Sequence, residues 1–322
     1  MAISVAWVPT KADINRGSFR LQCLYNHQWL LEHGIHSEII EYDTRPRGSW
    51  KNKFQFLVWF RTDVPQDAVA HEVPIIYFVS DGPVPSPFYL NQAIAIVTDA
   101  PVIARTTLAA WPGKTHVVPV TAAGDVPIES LRCQQPAPSP HEEVKLVWIG
   151  TEQNYWWAKE TLDCLSKRFK VTTISKGPFC TNQWSLQTVV QDIKRCHIGI
   201  VPFPRDLRFG DLKGFNPTAK DIDRITLLQA CGLPVIASPL PSYVEYIRQG
   251  VDGIIADGPE EFDHAVNLLC QSPDLYRSIA NAGCVRAWMT AAPTVTGNKW
   301  RTILENLKRD KPNENKVDPY VL

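Results

Sequence analysis

The sequence predicts an α/β protein built from two Rossmann-like, doubly wound parallel sheets that face one cleft. Three observations lead to this fold class. Short apolar segments of strand length alternate with segments of helical periodicity along nearly the whole chain. The 322 residues suffice for two domains of ordinary size. Between the two halves, residues 127–143 are rich in proline and polar side chains, which is typical of a linker.

The first half, predicted as a domain of residues 1–135, contains a series of strand-like apolar segments. These predicted strands cover residues 3–8, 37–42, 54–60, 75–79, 102–104 and 116–120. Residues 19–33 carry apolar side chains at helical spacing, and Gly34 is placed to end that helix. A second short helix is predicted to end at Trp111.

The second half follows a linker at residues 136–143 and is predicted as a domain of residues 144–290. Its predicted strands are residues 145–149, 171–175, 198–202 and 235–237, and its predicted helices include residues 155–168, 186–196, 262–270 and 275–288. Pro293 interrupts the helical pattern, and a last helix over residues 293–310 is predicted to pack back on the first domain. Residues 309–322 are charged and predicted to form a flexible tail.

Composition and charge argue against several classes of protein. Lys+Arg and Asp+Glu both number 33, and this balance argues against a general nucleic-acid coat or a binder of acidic membranes. No apolar run approaches the roughly 20 residues of a membrane helix, and the N-terminus lacks the basic lead of a signal peptide. The eight cysteines form no Cys-x-x-Cys pair, and the histidines show no metal-like spacing. We therefore expect reduced thiols, no bound metal and a cytoplasmic location.

Residues 216–256 are the segment that points most directly to a site. A polar loop carrying Lys220 and Arg224 leads into a short helix, Gly232 ends that helix, and an apolar strand follows. Loop, helix and strand ends meet at one edge of the sheet, where open α/β sheets bind ligands. If the helix begins by Lys220, the two cations share a helix face. Basic side chains at a helix N-terminus oppose the macrodipole, so their presence there favours a bound phosphate over a solvated surface.

Four motifs follow one another in this region. They read Ile-Gly-Ile-Val-Pro-Phe from position 198, Ala-Cys-Gly-Leu-Pro-Val-Ile-Ala-Ser from position 230, Tyr-Val-Glu-Tyr-Ile from position 243 and Gly-Val-Asp-Gly-Ile-Ile-Ala from position 250. In this order they resemble the donor-binding half of GT-B glycosyltransferases, specifically the family 4-like or group 1 branch. The first half resembles the acceptor side of the same enzymes through residues 98–106 and 117–125.

The resemblance implies transfer of a sugar from a nucleotide-diphosphate sugar, such as a UDP- or GDP-sugar, to an acceptor hydroxyl. It also implies retention of the anomeric configuration, no metal and no further cofactor. In such enzymes cationic side chains stabilise the leaving diphosphate, and here Lys220 and Arg224 are the candidates. Asp81, which follows the strand at residues 75–79, is predicted to bind the acceptor hydroxyl or to accept its proton; a turn aspartate is the alternative.

Further residues are predicted to contact the donor. They are Gly17, Ser18, Arg20, Gly150, Thr151, Lys176, Asp223 and Glu245. The first three open the helix after the first strand, and the next three follow strands of the second half. A tight turn with a surface arginine, or a solvated helix carboxylate at Glu245, would be the purely structural interpretations.

One departure from the family pattern affects the donor site. The family places a glutamate in the loop and a second glutamate, which holds the nucleotide ribose, in the following helix. Those positions hold Ala219 and Leu227. Asp221 or Asp223 could supply the missing carboxylate. The departure leaves open an unusual donor, weak donor affinity or an inactive relative.

Three other functions stay open at this point. A sugar-nucleotide epimerase shares the two-lobed fold but needs acid and base side chains across the cleft. A dinucleotide dehydrogenase needs Gly-x-Gly-x-x-Gly after a strand, which the chain lacks. A non-catalytic nucleotide-sugar binder would explain the missing glutamates. The acceptor, whether glycan, lipid, nucleic acid or small molecule, would meet the loops at residues 45–53 and 82–91. The loop at residues 45–53 is basic and aromatic. A solvated loop is its favoured interpretation, and contact with an anionic acceptor, such as a lipid phosphate at a membrane surface or a nucleic acid, is the alternative. The sequence does not predict an oligomeric state.

Overall fold

The computed structural model describes residues 2–9, 12–14, 16, 19–40, 50, 52–60, 73–80, 86–106, 108–127, 136–139, 141–204 and 220–310. Within these ranges the chain forms two six-stranded sheets. The strand pairs of both sheets are parallel. The predicted α/β class with two doubly wound sheets is therefore confirmed. None of the described helices combines the length and the apolar character needed to cross a membrane.

The first sheet has the strand order β2-β1-β3-β4-β5-β6 and forms what we call the first lobe. Its strands are β1 (Ser4–Val8), β2 (His36–Ile39), β3 (Phe56–Phe60), β4 (Ile75–Val79), β5 (Ala95–Thr98) and β6 (Thr115–Val117). Strands β3, β4 and β5 are buried along their whole length. That burial explains why they read as continuous apolar runs without alternation.

The helices of the first lobe cover both faces of this sheet. They are a π-helical turn (Arg20–Leu24) that continues into α1 (Tyr25–Glu32), α2 (Pro87–Gln92), α3 (Pro101–Arg105) and two 3-10 turns (Pro112–Lys114 and Ala122–Asp125). Gly34 follows α1 with a φ of 78°, as expected of a glycine that ends a helix.

One predicted strand of the first lobe is wrong. Residues 102–104 lie in α3, and the strand in this region is the preceding β5, which pairs with β4 and β6. Pro101 explains the difference, because proline fits the first position of a helix and has no N–H to donate to a neighbouring strand.

The second sheet has the order β12-β11-β10-β7-β8-β9 and forms the second lobe. Its strands are β7 (Lys145–Ile149), β8 (Lys170–Ser175), β9 (Asn182–Gln183), β10 (Ile198–Val201), β11 (Val235–Ala237) and β12 (Ile254–Ile255). Its helices are α4 (Glu152–Ser166), α5 (Val189–Lys194), α6 (Asp223–Ala230), α7 (Pro241–Tyr246), α8 (Gly258–Gln271) and α9 (Pro273–Ala291). Gly232, with a φ of 85°, turns the chain from α6 into β11.

Two apolar features help to hold the lobes together. The last helix, α10 (Pro293–Arg309), packs on the first lobe, where the fully buried Trp300 ring lies 4.8 Å from the Trp7 ring. A single hydrophobic cluster also contains Leu21 and Ala123 of the first lobe and Ile225 of the second. The junction between the lobes is therefore an apolar core, stabilised by burial of nonpolar surface.

The packing of α10 predicts a sensitive glycine. A Cβ added to Gly297 would lie 2.2 Å from the Trp29 ring, so Gly297→Ala is expected to destabilise the protein by about 1–3 kcal/mol through overpacking. Urea unfolding measures this loss. Gly113→Ala is the matched control, because no heavy atom lies within 4 Å of its added Cβ. Equal stability of the two variants would contradict the packing of α10 on α1.

Candidate functional site

A cleft of about 590 Å³ lies between the lobes, at the carboxyl ends of β7 and β8. Parallel α/β sheets bind ligands at this end of their strands. The first lobe lines it with Arg16, Arg20, Leu21, Gln22, Val120 and Asp125. The second lobe contributes Ile149, Gly150, Thr151, Glu152, Asn154, Ser175, Lys176, Gly177, Trp184, Lys220, Asp221, Asp223, Arg224 and Leu227. The structure thus brings seven of the predicted site residues to one cleft: Arg20, Gly150, Thr151, Lys176, Lys220, Asp223 and Arg224.

Lys220 and Arg224 both line this cleft, but not as neighbours on one helix face. Helix α6 begins at Asp223, so Lys220 precedes it and the shared-face explanation is wrong. The loop before α6 places Lys220 instead, and its carbonyl oxygen accepts a hydrogen bond from Ser242 Oγ. The Arg224 guanidinium lies 5.2 Å from the centre of the Phe203 ring. The two residues are only 8% and 6% exposed, so two cations are held at the wall of the cleft.

The carboxylate expected for a ribose is absent from its usual helical position. Leu227 lines the cleft there with an apolar side chain, and Ala219 lies outside the described residues. Asp223 lines the cleft one helical turn before Leu227. Its Oδ1 accepts a hydrogen bond of 2.6 Å from the Arg224 amide and lies 3.8 Å from Arg224 Nε. Asp223 therefore offers a carboxylate on the side of α6 that faces the cleft.

Gly150 and Thr151 connect β7 to the N-terminus of α4. Thr151 caps the helix, since its side chain accepts a hydrogen bond from the Asn154 amide at 3.4 Å. A Cβ on Gly150 would lie 2.6 Å from the Trp148 ring, so the close approach of strand and ring requires glycine. The positive end of the α4 dipole thus opens at the cleft, a place that favours anions.

Arg20 is fixed by contacts within the protein. Its Nε and Nη2 each donate to the Asp125 carboxylate at 2.7 Å, and its Nη1 donates to the Ile14 carbonyl at 2.8 Å. The Tyr25 hydroxyl also donates to Asp125, at 2.5 Å. Burial and the neighbouring carboxylate raise the pKa of Tyr25, which keeps that hydroxyl protonated. Arg20 therefore ties the helix start to the 3-10 turn at Asp125.

Trp184 is a cleft residue that the sequence analysis missed. Its ring centre lies 5.0 Å from Lys176 Nζ and 5.1 Å from the Arg20 guanidinium carbon, so it joins cations of both lobes. The available signal was a large aromatic residue in the polar stretch Thr181-Asn-Gln-Trp-Ser185. Asp125 was also missed, because its partner Arg20 is 105 residues away in sequence.

Gln22 and Ser175 also line the cleft. Each carries a buried side-chain oxygen, Gln22 Oε1 and Ser175 Oγ, that has no hydrogen-bond partner among the described residues. The Gln22 amide is oriented by its Nε2, which donates to Asp99 at 2.9 Å. Buried polar groups are nearly always satisfied in folded proteins, so unsatisfied ones at a cleft indicate a place for bound ligand or water.

The remaining predicted residues are not at the cleft or lie outside the described residues. Glu245 does not appear among the described residues that line the cleft; its side chain pairs with Arg105 of the first lobe. Gly17, Ser18 and Asp81 lie outside the described residues, as do most of the loop at residues 45–53 and the start of the loop at residues 82–91.

No protein-family model matches the sequence, and no curated protein matches it. Solved structures do match its fold. A glycosyltransferase from Rickettsia africae is 13% identical, with a TM-score of 0.66 over 96% of this chain and 99% of that one. Sucrose-phosphate synthase from Thermosynechococcus elongatus is 11% identical, with a TM-score of 0.63 over 95% and 99% of the two chains. Anabaena HepE in complex with UDP is 11% identical, with a TM-score of 0.60 over 94% and 100%. Together with the two parallel sheets, these matches show that the chain has the GT-B fold of glycosyltransferases.

Proposed function

We propose that this protein transfers a sugar from a nucleotide-diphosphate sugar to an acceptor hydroxyl. The observation that carries the proposal is the pair of cleft cations, Lys220 and Arg224, on the same wall as the N-terminus of α4. Cationic side chains and a helix N-terminus at one cleft between two lobes suit a diphosphate. The similar HepE structures in complex with UDP and with UDP-glucose support a donor of this class.

The proposed chemistry needs positive charge where the leaving group develops negative charge. As the bond between the anomeric carbon and the diphosphate oxygen breaks, charge builds on the β-phosphate. Lys220, Arg224 and the amides at Gly150–Thr151 would stabilise that charge. We propose a metal-independent reaction because these groups supply the charge that a bound cation would otherwise supply.

We further propose that the reaction retains the anomeric configuration. The acceptor oxygen would attack from the side on which the diphosphate leaves, and the acceptor proton would pass to the departing phosphate oxygen. No separate side-chain base is then required. Proton NMR of the first-formed product tests this step, and a product of inverted configuration would contradict it.

Nucleotide binding is the direct test of the proposed function. Calorimetric titration with UDP, GDP, ADP and dTDP is expected to show saturable binding of at least one nucleoside diphosphate. The corresponding glucose ester should then be consumed in the presence of an acceptor or slowly hydrolysed. Failure of all four nucleotides to bind would rule out a diphosphate-sugar site.

A non-catalytic nucleotide-sugar binder is the second candidate, and Leu227 is the observation that favours it. An apolar side chain stands where the resemblance implies a ribose-binding glutamate. The two functions differ in turnover: the binder would hold the donor without hydrolysing or transferring its sugar. Binding without any release of sugar, tested with several acceptor classes, would favour the binder.

A further inference from the structure

An exposed ion pair joins the two lobes outside the cleft. Arg105, at the end of α3, donates from Nη1 and Nη2 to the two carboxylate oxygens of Glu245 in α7, at 2.8 Å each. The two side chains are 61% and 34% exposed. Paired hydrogen bonds of this kind fix orientation as well as distance. The contact therefore differs from the buried apolar junction between the lobes, because water and salt can reach it.

Helix α7 is fixed firmly on the second lobe. Tyr243 is fully buried, and its ring meets the Phe203 ring edge to face at 6.1 Å. Tyr246 donates to Gln229 Oε1 of α6 at 3.0 Å. These anchors make α7 move with the second lobe, so the Arg105–Glu245 pair restrains one lobe against the other.

The same short helix contacts the segment that carries the cleft cation. Ser242 of α7 donates to the carbonyl oxygen of Lys220. Ser242 and Glu245 are three positions apart in this six-residue helix: Ser242 is buried, whereas Glu245 is exposed, so one short helix carries both contacts. A displacement of α7 relative to the first lobe would therefore be transmitted directly to Lys220.

We propose that Arg105 and Glu245 are positioning residues, whose ion pair aligns α7, and through Ser242 the Lys220 segment, against the first lobe. The role of Lys220 in this inference rests on the proposed function. Since exposed ion pairs are screened by salt, the alignment weakens as ionic strength rises. This assigns Glu245 a function without placing it on the donor.

The test compares four variants with the wild-type protein. Arg105→Ala and Glu245→Ala break the pair, and the double variant R105E/E245R restores it with reversed charges. Arg168→Ala is the matched control, because it breaks an exposed pair with Asp263 (2.5 Å) that lies entirely within the second lobe. Two quantities are measured at 50 and 500 mM NaCl: backbone hydrogen exchange at residues 220–222 in the ligand-free protein, and kcat with saturating sugar nucleotide.

We expect each single variant to exchange faster at residues 220–222 and to lose roughly three- to fivefold in kcat at low salt. The double variant R105E/E245R should recover most of the protection from exchange and most of the kcat. High salt should lower the kcat of the wild-type protein but not the kcat of Glu245→Ala. If Arg105→Ala and Glu245→Ala have exchange rates and kcat values within twofold of those of Arg168→Ala, the inference is overturned. Because the exchange measurement needs no ligand, it decides the positioning role even if no nucleotide binds, an outcome that would contradict the proposed function separately.

Discussion

Replacing Lys220 and Arg224 together by methionine is expected to abolish nucleotide binding and to lower any transfer rate by roughly 10²- to 10³-fold. Both side chains line the cleft, and each hydrogen bond from a cation to a phosphate contributes about 1.5–3 kcal/mol. Methionine keeps the apolar stems, including the contact of position 224 with Phe203, while it removes the charge. Calorimetric titration and initial rates measure the two losses.

Control variants separate the effect of removing positive charge at the cleft from an effect on folding. Lys159→Met and Arg168→Met remove exposed cations of the second lobe that do not appear among the described cleft residues, and they should bind nucleotide as the wild type does. Arg224→Lys keeps the charge but loses the planar fork, so an intermediate affinity is expected. Wild-type affinity in the folded methionine double variant would refute the diphosphate site.

The fold could be predicted from the sequence because its strands are buried on both faces. Strands such as β4 and β7 then appear as uninterrupted apolar runs between polar segments, and both were predicted with the bounds that the structure has. The prediction failed at residues 102–104, where the apolar run belongs to a helix. There the local pattern was ambiguous, and Pro101 together with the neighbouring strand decides the outcome.

The cleft could be predicted only in part, because its contacts join residues distant in sequence. Lys220, Arg224 and Gly150 follow from local signals at strand and helix ends. The pairing of Arg20 with Asp125, and of Glu245 with Arg105, depends on how the lobes meet. A side chain that looks available from its local position is then occupied by a partner more than 100 residues away.

The buried ion pair of Arg20 and Asp125 gives the second large expected effect, this time on stability. The two side chains are only 4% and 1% exposed. Removing one partner leaves a buried charge without compensation, so Asp125→Ala is expected to lower the free energy of unfolding by about 3–5 kcal/mol. Tyr25→Phe removes one hydrogen bond to the same carboxylate and should cost about 1.5–3 kcal/mol. Urea unfolding with tryptophan fluorescence measures both.

The double variant R20M/D125L distinguishes a structural arginine from a ligand-binding one. Removing both charges eliminates the uncompensated one, so its stability loss should be smaller than the sum of the two single losses. Because each nitrogen of Arg20 already donates within the protein, nucleotide affinity in this variant should fall less than about threefold. A tenfold or greater loss in the folded double variant, with normal binding by Tyr25→Phe, would show instead that Arg20 contacts the nucleotide. The outcome decides whether Arg20 supplies charge to the donor or only ties the helix start to the 3-10 turn at Asp125.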